Sequence, residues 1–375
     1  MVNIVIDDKI PFIRGVLERY ANISYLPVSE ITRERLIAVD ALVVRTRTIC
    51  NAELLDGTAV RFIASATIGY DHIDTAYCKA KGIRWTNAAG CNASSVEQYI
   101  LAALLELANK KGFRLADKTV GIVGVGNVGS KIAHMAKVLG VRTLLCDPPR
   151  AEREGAAGFV SLEELVSIAD IITIHVSLSR EGADKTYQLF DSYIISKIKK
   201  RAILINTSRG EVIDELSLKS AIRKGWLGDV VLDVWQNEPA IDNELLDMAT
   251  LATPHIAGYS VDGKATGTAM SVNALSRFFG WELNTWFPKS LPMPENTQLQ
   301  ADFLSKTFEQ NLYQLVKVAY SIIDDDKRLR LSSEEFELQR GAYPLRREFS
   351  TYTVSSDSIV EENRQKLSRL GFQVK

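Results

Sequence analysis

Residues 118–147 read KTVGIVGVGNVGSKIAHMAKVLGVRTLLCD, and this stretch decides the fold. Lys118 to Val123 is a short β-branched run, the pattern of a buried strand. The glycine loop Gly124-Val125-Gly126-Asn127-Val128-Gly129 follows it. From Ser130 to Leu139 apolar residues recur at helical spacing, and Gly140 ends the pattern. Val141 to Cys146 reads as a second strand, closing on Asp147. A glycine loop alone is a common turn, but this strand–loop–helix–strand context is what a dinucleotide fingerprint requires. Gly124, Gly126 and Gly129 allow backbone to approach a pyrophosphate, and N–H groups at Asn127 and Val128 meet its charge as the helix opens. Asp147 stands 147 − 129 = 18 positions after the last glycine, near the ~20 expected of the acid that accepts the ribose hydroxyls. A carboxylate there repels a 2′-phosphate, so NAD is favoured as cofactor. Arg150 and Arg153 close by keep NADP open as the alternative.

The rest of the chain repeats the same alternation. Strands are expected at Asn3 to Ile6, Ala41 to Val44, Arg61 to Ala64 and Ile83 to Thr86, with no phosphate loop among them. Ser94-Ser95-Val96-Glu97 has the form of a capping box opening a helix through Leu107. Further strands are expected at Ile171 to His175, Ala202 to Asn206, Val230 to Val234 and Leu251 to Ala252, and a helix at Val261 to Phe279. The expected fold class is therefore α/β: a doubly wound parallel sheet of Rossmann type in residues 94–260, with a second α/β domain in 1–93 plus 261–283. Pro288, Pro292 and Pro294 mark a linker. Beyond it Thr307 to Ile323 reads as an amphipathic helix and Thr351 to Val354 as a strand, so 284–375 is expected to be a small α+β association domain.

Composition fits that frame. A chain of 375 residues builds two or three cores, and a net charge of −1 gives no electrostatic footprint for nucleic acid. No apolar run approaches the ~20 residues that span a bilayer. The first residues start as a strand without signal-peptide layout, and Cys50, Cys78, Cys91 and Cys146 lack metal-site spacing. No membrane partner, no metal and a cytoplasmic setting are expected.

Candidate chemistry lies just past strand ends, the edge where open α/β sheets bind ligands. Arg209 lies in Asn206-Thr207-Ser208-Arg209-Gly210, and a guanidinium clamps a carboxylate through paired hydrogen bonds. Glu238 lies in Asp233-Val234-Trp235-Gln236-Asn237-Glu238-Pro239, and His255 in Thr253-Pro254-His255-Ile256-Ala257-Gly258. Oxidising a secondary alcohol needs a base for the hydroxyl proton; imidazole suits, and a neighbouring carboxylate fixes its tautomer. Asp233 is a candidate for holding the nicotinamide amide. Arg45 and Arg47, flanking Thr46, are candidates for a substrate phosphate. His72, His134 and His175 suit packing, turn formation or cofactor contact better than proton transfer.

The glycine loop and the segments around Arg209, Glu238 and His255, in this order, resemble the D-isomer-specific 2-hydroxyacid dehydrogenases. The resemblance implies Arg209, Glu238 and His255 as catalytic residues. Val176 stands where a threonine is common, and Thr207-Ser208 replace a more usual Ala-Cys; with Gly258 these complete the expected cofactor contacts. Gly90-Cys91-Asn92-Ala93, the segment Leu144 to Arg150, Tyr259-Ser260 and Tyr343-Pro344-Leu345-Arg346-Arg347-Glu348-Phe349 resemble one branch of that family. That branch oxidises a phosphorylated four-carbon hydroxy acid with NAD on the route to pyridoxal phosphate. It implies substrate contacts at Thr46, Thr67 and Tyr259 and a homodimer joined through the C-terminal domain. The competing readings are a dehydrogenase of another 2-hydroxy acid, such as 3-phosphoglycerate, and a non-catalytic NAD-sensing scaffold.

Overall fold

A computed structural model describes residues 1–375, which divide into two compact units: Met1–Asn92 with Ser260–Pro292, and Ala93–Tyr259 with Met293–Lys375. The first unit holds five strands, β1 (Val2–Asp7), β2 (Ala21–Leu26), β3 (Ala41–Val44), β4 (Phe62–Ser65) and β5 (Arg84–Thr86). All pair in parallel, in the order β2-β1-β3-β4-β5, which is the flavodoxin-like arrangement. Strand β2 was not expected from the sequence. It lies at the sheet edge, and its alternation of buried, exposed and half-buried residues carries no continuous apolar run. The central strands β3 and β4 are buried throughout, as a sheet covered on both faces demands. The helix Val261–Phe279 belongs to this unit and packs Val272 and Leu275 against Ile4, Ile6, Val43 and Phe62.

The second unit contains a six-stranded parallel sheet: β6 (Thr119–Val123), β7 (Arg142–Cys146), β8 (Ile171–Ile174), β9 (Ile203–Asn206), β10 (Asp229–Leu232) and β11 (Leu251–Ala252). Its order is β11-β10-β9-β8-β6-β7, so the winding reverses between β6 and β8. Strand β6 thus lies at the switch point, and its C-terminal end opens onto the glycine loop. The helix following that loop runs Asn127–Val138, three residues earlier than the apolar pattern suggests, because the loop's own last residues already take helical geometry.

The helix expected from Ser94 spans Ala93–Lys111. Its capping box does not form: Ser94 and Ser95 are already helical, and Ser95 Oγ donates to Glu348 Oε1 at 2.8 Å. Tyr99, Ile100, Leu104 and Leu107 are buried, and the helix packs against both the glycine-loop helix and the later helix Phe308–Ala319. That later helix carries a true capping box on Thr307 and Gln310. The single helix expected from Thr307 to Ile323 is two helices, because the chain turns extended at Tyr320 and restarts at Ile322–Leu331.

Residues 293–375 share the core of the nucleotide-binding sheet. Leu312, Leu315, Phe349 and Phe372 belong to the same buried cluster as Val120, Ile132 and Ile205. Strands β12 (Gln298–Gln300), β13 (Thr353–Ser355) and β14 (Gln373–Val374) form a small parallel sheet. At the exposed edge of β11, Ala252 N donates to Asp326 Oδ1, and Arg330 donates to the carbonyls of Leu246 and Ala249. No helix is long and apolar enough to cross a membrane.

Candidate active site

The glycines of the loop are required for three different reasons. Gly124 has φ +86°, and an added Cβ would lie 2.8 Å from the carbonyl of His175. At Gly129 a Cβ would fall 2.0 Å from the Gly124 oxygen, where the helix crosses the loop. Gly126 is different: a Cβ there meets nothing within 4 Å, so no protein neighbour demands the bare backbone. It faces open space at the start of a helix whose first N–H groups lack intrahelical partners, the arrangement that receives a pyrophosphate. A cleft of about 450 Å³ opens there, lined by Gly124, Gly126, Asp147, His175, Val176 and Lys185. The residues present therefore fit a dinucleotide.

Asp147 Oδ2 accepts from Val125 N at 2.8 Å and Oδ1 from Arg150 N at 2.9 Å. The carboxylate thus braces the loop and caps the next helix while lining the cleft. Arg150 is engaged with its neighbours, its Nη1 donating to Val125 O and Ser130 Oγ and its Nε pairing with Glu154. Val176 contributes a side chain to the cleft wall and no hydrogen bond, as its replacement of threonine implies. His175 is held between Thr173 Oγ1 (2.9 Å) and Thr207 Oγ1 (3.3 Å), and burial pushes its pKa down to about 3, so the ring is neutral. No motif points to Lys185, which comes from irregular chain after β8.

Past the end of β9, Asn206 pins a tight turn. Its Oδ1 accepts from Ser208 N and Oγ, and its Nδ2 donates to Arg209 O. Arg209 Nη1 donates to Ser208 O at 2.7 Å. Gly210 is packed so closely that a Cβ would lie 2.0 Å from the Trp235 carbonyl carbon. The arginine loop therefore rests directly on the segment that carries Glu238.

Glu238 Oε2 meets His255 Nδ1 at 2.7 Å, and its Oε1 accepts from Trp235 N at 3.0 Å. Burial raises the Glu238 carboxyl, but the imidazole beside it and the Trp235 N–H outweigh that and hold it below the usual carboxylate range. His255 has φ +57°, an uncommon conformation that histidine tolerates better than most residues. Its N–H donates to Asp233 O at 2.7 Å. The Asp233 carboxylate, fully buried, accepts from Thr253 Oγ1, Ile256 N and Ala257 N at 2.6, 2.7 and 2.9 Å. These bonds hold the histidine's loop, a task the sequence did not suggest. Gly258 and Tyr259 follow, half-buried.

The remaining sequence candidates lie in the first unit. Arg45, Thr46 and Arg47 follow β3, and Thr67 follows the adjacent β4. Arg45 is an ion-pair partner, its Nε 2.9 Å from the buried Asp7 carboxylate. Thr46 and Arg47 are exposed. Thr67 Oγ1 shares a hydrogen bond with Ser65 Oγ at 2.8 Å, and Ser65 Oγ meets His72 Nε2 at 3.2 Å. Lys264 is close enough to Arg45 that burial and the second cation together depress its pKa.

Residues 94–257 match the family described as D-isomer specific 2-hydroxyacid dehydrogenase, NAD binding domain, and residues 290–371 match a domain of unknown function. The chain is 48% identical over 357 residues to an erythronate-4-phosphate dehydrogenase of Bacteroides thetaiotaomicron, covering 94% of this chain and 99% of that one. It is 40% identical over 374 residues to the enzyme of that name from Pectobacterium atrosepticum, covering 99% and 98%. Among solved structures, a D-lactate dehydrogenase of Aquifex aeolicus complexed with NAD and lactic acid is 26% identical, with a TM-score of 0.61 over 76% of this chain and 97% of that one.

Proposed function

Because the chain belongs to the erythronate-4-phosphate dehydrogenases, within the D-isomer-specific 2-hydroxyacid dehydrogenases, we propose that it oxidises 4-phospho-D-erythronate to 2-oxo-3-hydroxy-4-phosphobutanoate with NAD, in pyridoxal 5′-phosphate (vitamin B6) biosynthesis. The observation that carries this reading is the 2.7 Å pair of Glu238 and His255 beside the pinned Arg209 loop. With Nδ1–H donating to Glu238, His255 keeps its Nε2 lone pair available to take the substrate's 2-hydroxyl proton. The Glu238 carboxylate stabilises the imidazolium that forms. Arg209 clamps the substrate carboxylate and so orients the carbon that gives up hydride. NAD, when bound, accepts that hydride. Gly124, Gly126, Asn127, Val128 and Gly129 hold its pyrophosphate and Asp147 its ribose, with Val176, Thr207, Ser208, Asp233 and Gly258 lining the remainder. Thr46, Thr67 and Tyr259 contact substrate, and Arg45 and Arg47 serve its phosphate.

The working division of the chain is a substrate-binding part (1–93 and 261–283), an NAD-binding part (94–260) and a dimerising part (284–375). We place the protein in the cytoplasm, which fractionation tests. The assay for the reaction is NADH absorbance with NAD and 4-phospho-D-erythronate, beside 3-phospho-D-glycerate and D-lactate, with a 2-oxo acid included to reoxidise bound NADH. Selective oxidation of the four-carbon phosphate is expected. Preference for another acid would overturn the substrate, and no turnover of any would overturn the reaction. His255→Ala is expected to lose at least about a thousandfold in turnover while still binding NAD; loss of NAD binding would remove the histidine from its role.

A further inference from the structure

The C-terminal segment meets the catalytic loop at an arginine that no motif of the reaction includes. The helix Phe336–Gly341 anchors Phe336 in the same buried cluster as Trp235, Leu245 and Leu246. One turn on, Arg340 lies with its guanidinium carbon 5.7 Å from the ring centroid of Tyr259 and 5.9 Å from that of Phe336. Both distances fall within the range of cation–π attraction. The side chain is only 14% exposed. Its Nη1 donates to Glu337 Oε1 at 2.8 Å, while Nε is buried without a partner. A guanidinium taken this far out of water is costly unless charge offsets it. Glu337 on its own helix does so directly, and Glu238 feels the cation more weakly than it feels His255.

Neighbouring bonds fix the placement. Tyr343 packs edge-on against Tyr259, with centroids 5.6 Å apart, and donates to Asp325 Oδ2 at 2.7 Å. Arg346, fully buried, donates to the carbonyls of Ala257 and Ser95. The chain before Arg340 is thus anchored beside Trp235, and the chain after it is fastened to the loop that carries His255.

We infer that Arg340 is a positioning residue of the reaction: through its seat on Tyr259 it supplies a fixed positive charge to the Glu238–His255 pair from the C-terminal segment. This rests on the acid/base role given above to that pair. Arginine suits the task because it stays charged at any working pH and lies flat on an aromatic face. The charged groups around the pair are Arg340, with Glu337 behind it, Asp233, whose carboxylate feels His255, and Arg209 on the adjoining loop. A cation near the pair disfavours its protonated form, and an anion behind that cation weakens the effect.

The test uses full-length protein and needs no substrate. The four histidines give few ring resonances, and His255→Asn identifies the one that reports the pair's titration. Arg340→Gln is expected to move that midpoint up by about half a pH unit or more, since a fixed cation beside the pair disfavours its protonated form. Arg340→Lys is expected to restore most of it. Glu337→Gln, which unmasks the cation, is expected to move it down. The acidic limb of kcat/KM for whichever hydroxy acid is turned over should shift in the same directions. An unchanged midpoint in Arg340→Gln, or a shift of the same sign in Arg340→Gln and Glu337→Gln, would overturn the inference. If Arg340→Gln does not fold, the downward shift in Glu337→Gln decides. A wrong substrate assignment leaves the histidine titration readable, so the two failures are distinguishable.

Discussion

At the scale of single residues, the three loop glycines make a testable contrast. Gly129→Ala places a methyl on the Gly124 carbonyl, which is backbone and has nowhere to move. It is expected to cost about 3 kcal/mol or more of stability, as overpacking does at a rigid site. Gly126→Ala meets no protein atom and should leave stability unchanged while weakening NAD binding at least about tenfold. Thermal unfolding and NAD titration on both variants separate the two; equal NAD affinity in Gly126→Ala would show that the pyrophosphate does not sit there. At this scale the sequence marked where the candidate residues stand along the fold. Arg209, Glu238 and His255 each stand past a strand end, and the structure brings Glu238 and His255 within hydrogen-bond distance. Asp233 was legible only in place, since its bonds to Ile256 N and Ala257 N depend on a loop conformation that residue type does not encode. Arg340 gave no signal at all. It lies 85 positions after His255, and only tertiary packing brings its helix back.

Elements tell a similar story, with a physical boundary between what pattern reveals and what it hides. The buried central strands and the helix Val261–Phe279 were readable because long apolar runs and 3.6-residue spacing are strong signals. Edge strand β2 and the break at Tyr320 were not, since neither alters the apolar pattern enough to register. The Ser94 capping box misled because a capping motif inside a longer helix is indistinguishable from one that starts it. Strands β10 and β11 and the loop after them are joined by the Asp233 carboxylate, itself reached through Thr253 Oγ1, which shares a hydrogen bond with Tyr99 Oη at 2.7 Å. Asp233→Ala strands three buried donors and is expected to cost about 3 kcal/mol, with activity falling as the His255 loop loosens. Urea unfolding beside turnover checks this; wild-type stability in the variant would mean that water replaces the carboxylate without loss.

For the whole molecule, the second unit is built from two stretches that are far apart in sequence. Residues 293–375 contribute to its core and hold its sheet edge, so their removal exposes apolar surface as well as abolishing any contact they make with another chain. Point substitutions therefore test the proposed homodimer better than truncation. Leu331 and Leu338 are 82% and 61% exposed on successive helices of this segment. Leu331→Glu with Leu338→Glu is expected to turn a dimer into a folded monomer in sedimentation velocity; an unchanged dimer would place the interface elsewhere. The bond from Ala252 N to Asp326 has a consequence for how the enzyme is made. Chain leaves the ribosome in order, so the strand that precedes His255 stays open on one side until 74 further residues have emerged. A product cut short by a premature stop keeps every catalytic residue yet lacks the piece that closes that edge. Synthesis past Asp326 thereby becomes a condition for closing the edge beside the histidine's loop, and ribosome-bound chains halted before Asp326 should be cleaved there by protease while longer ones resist.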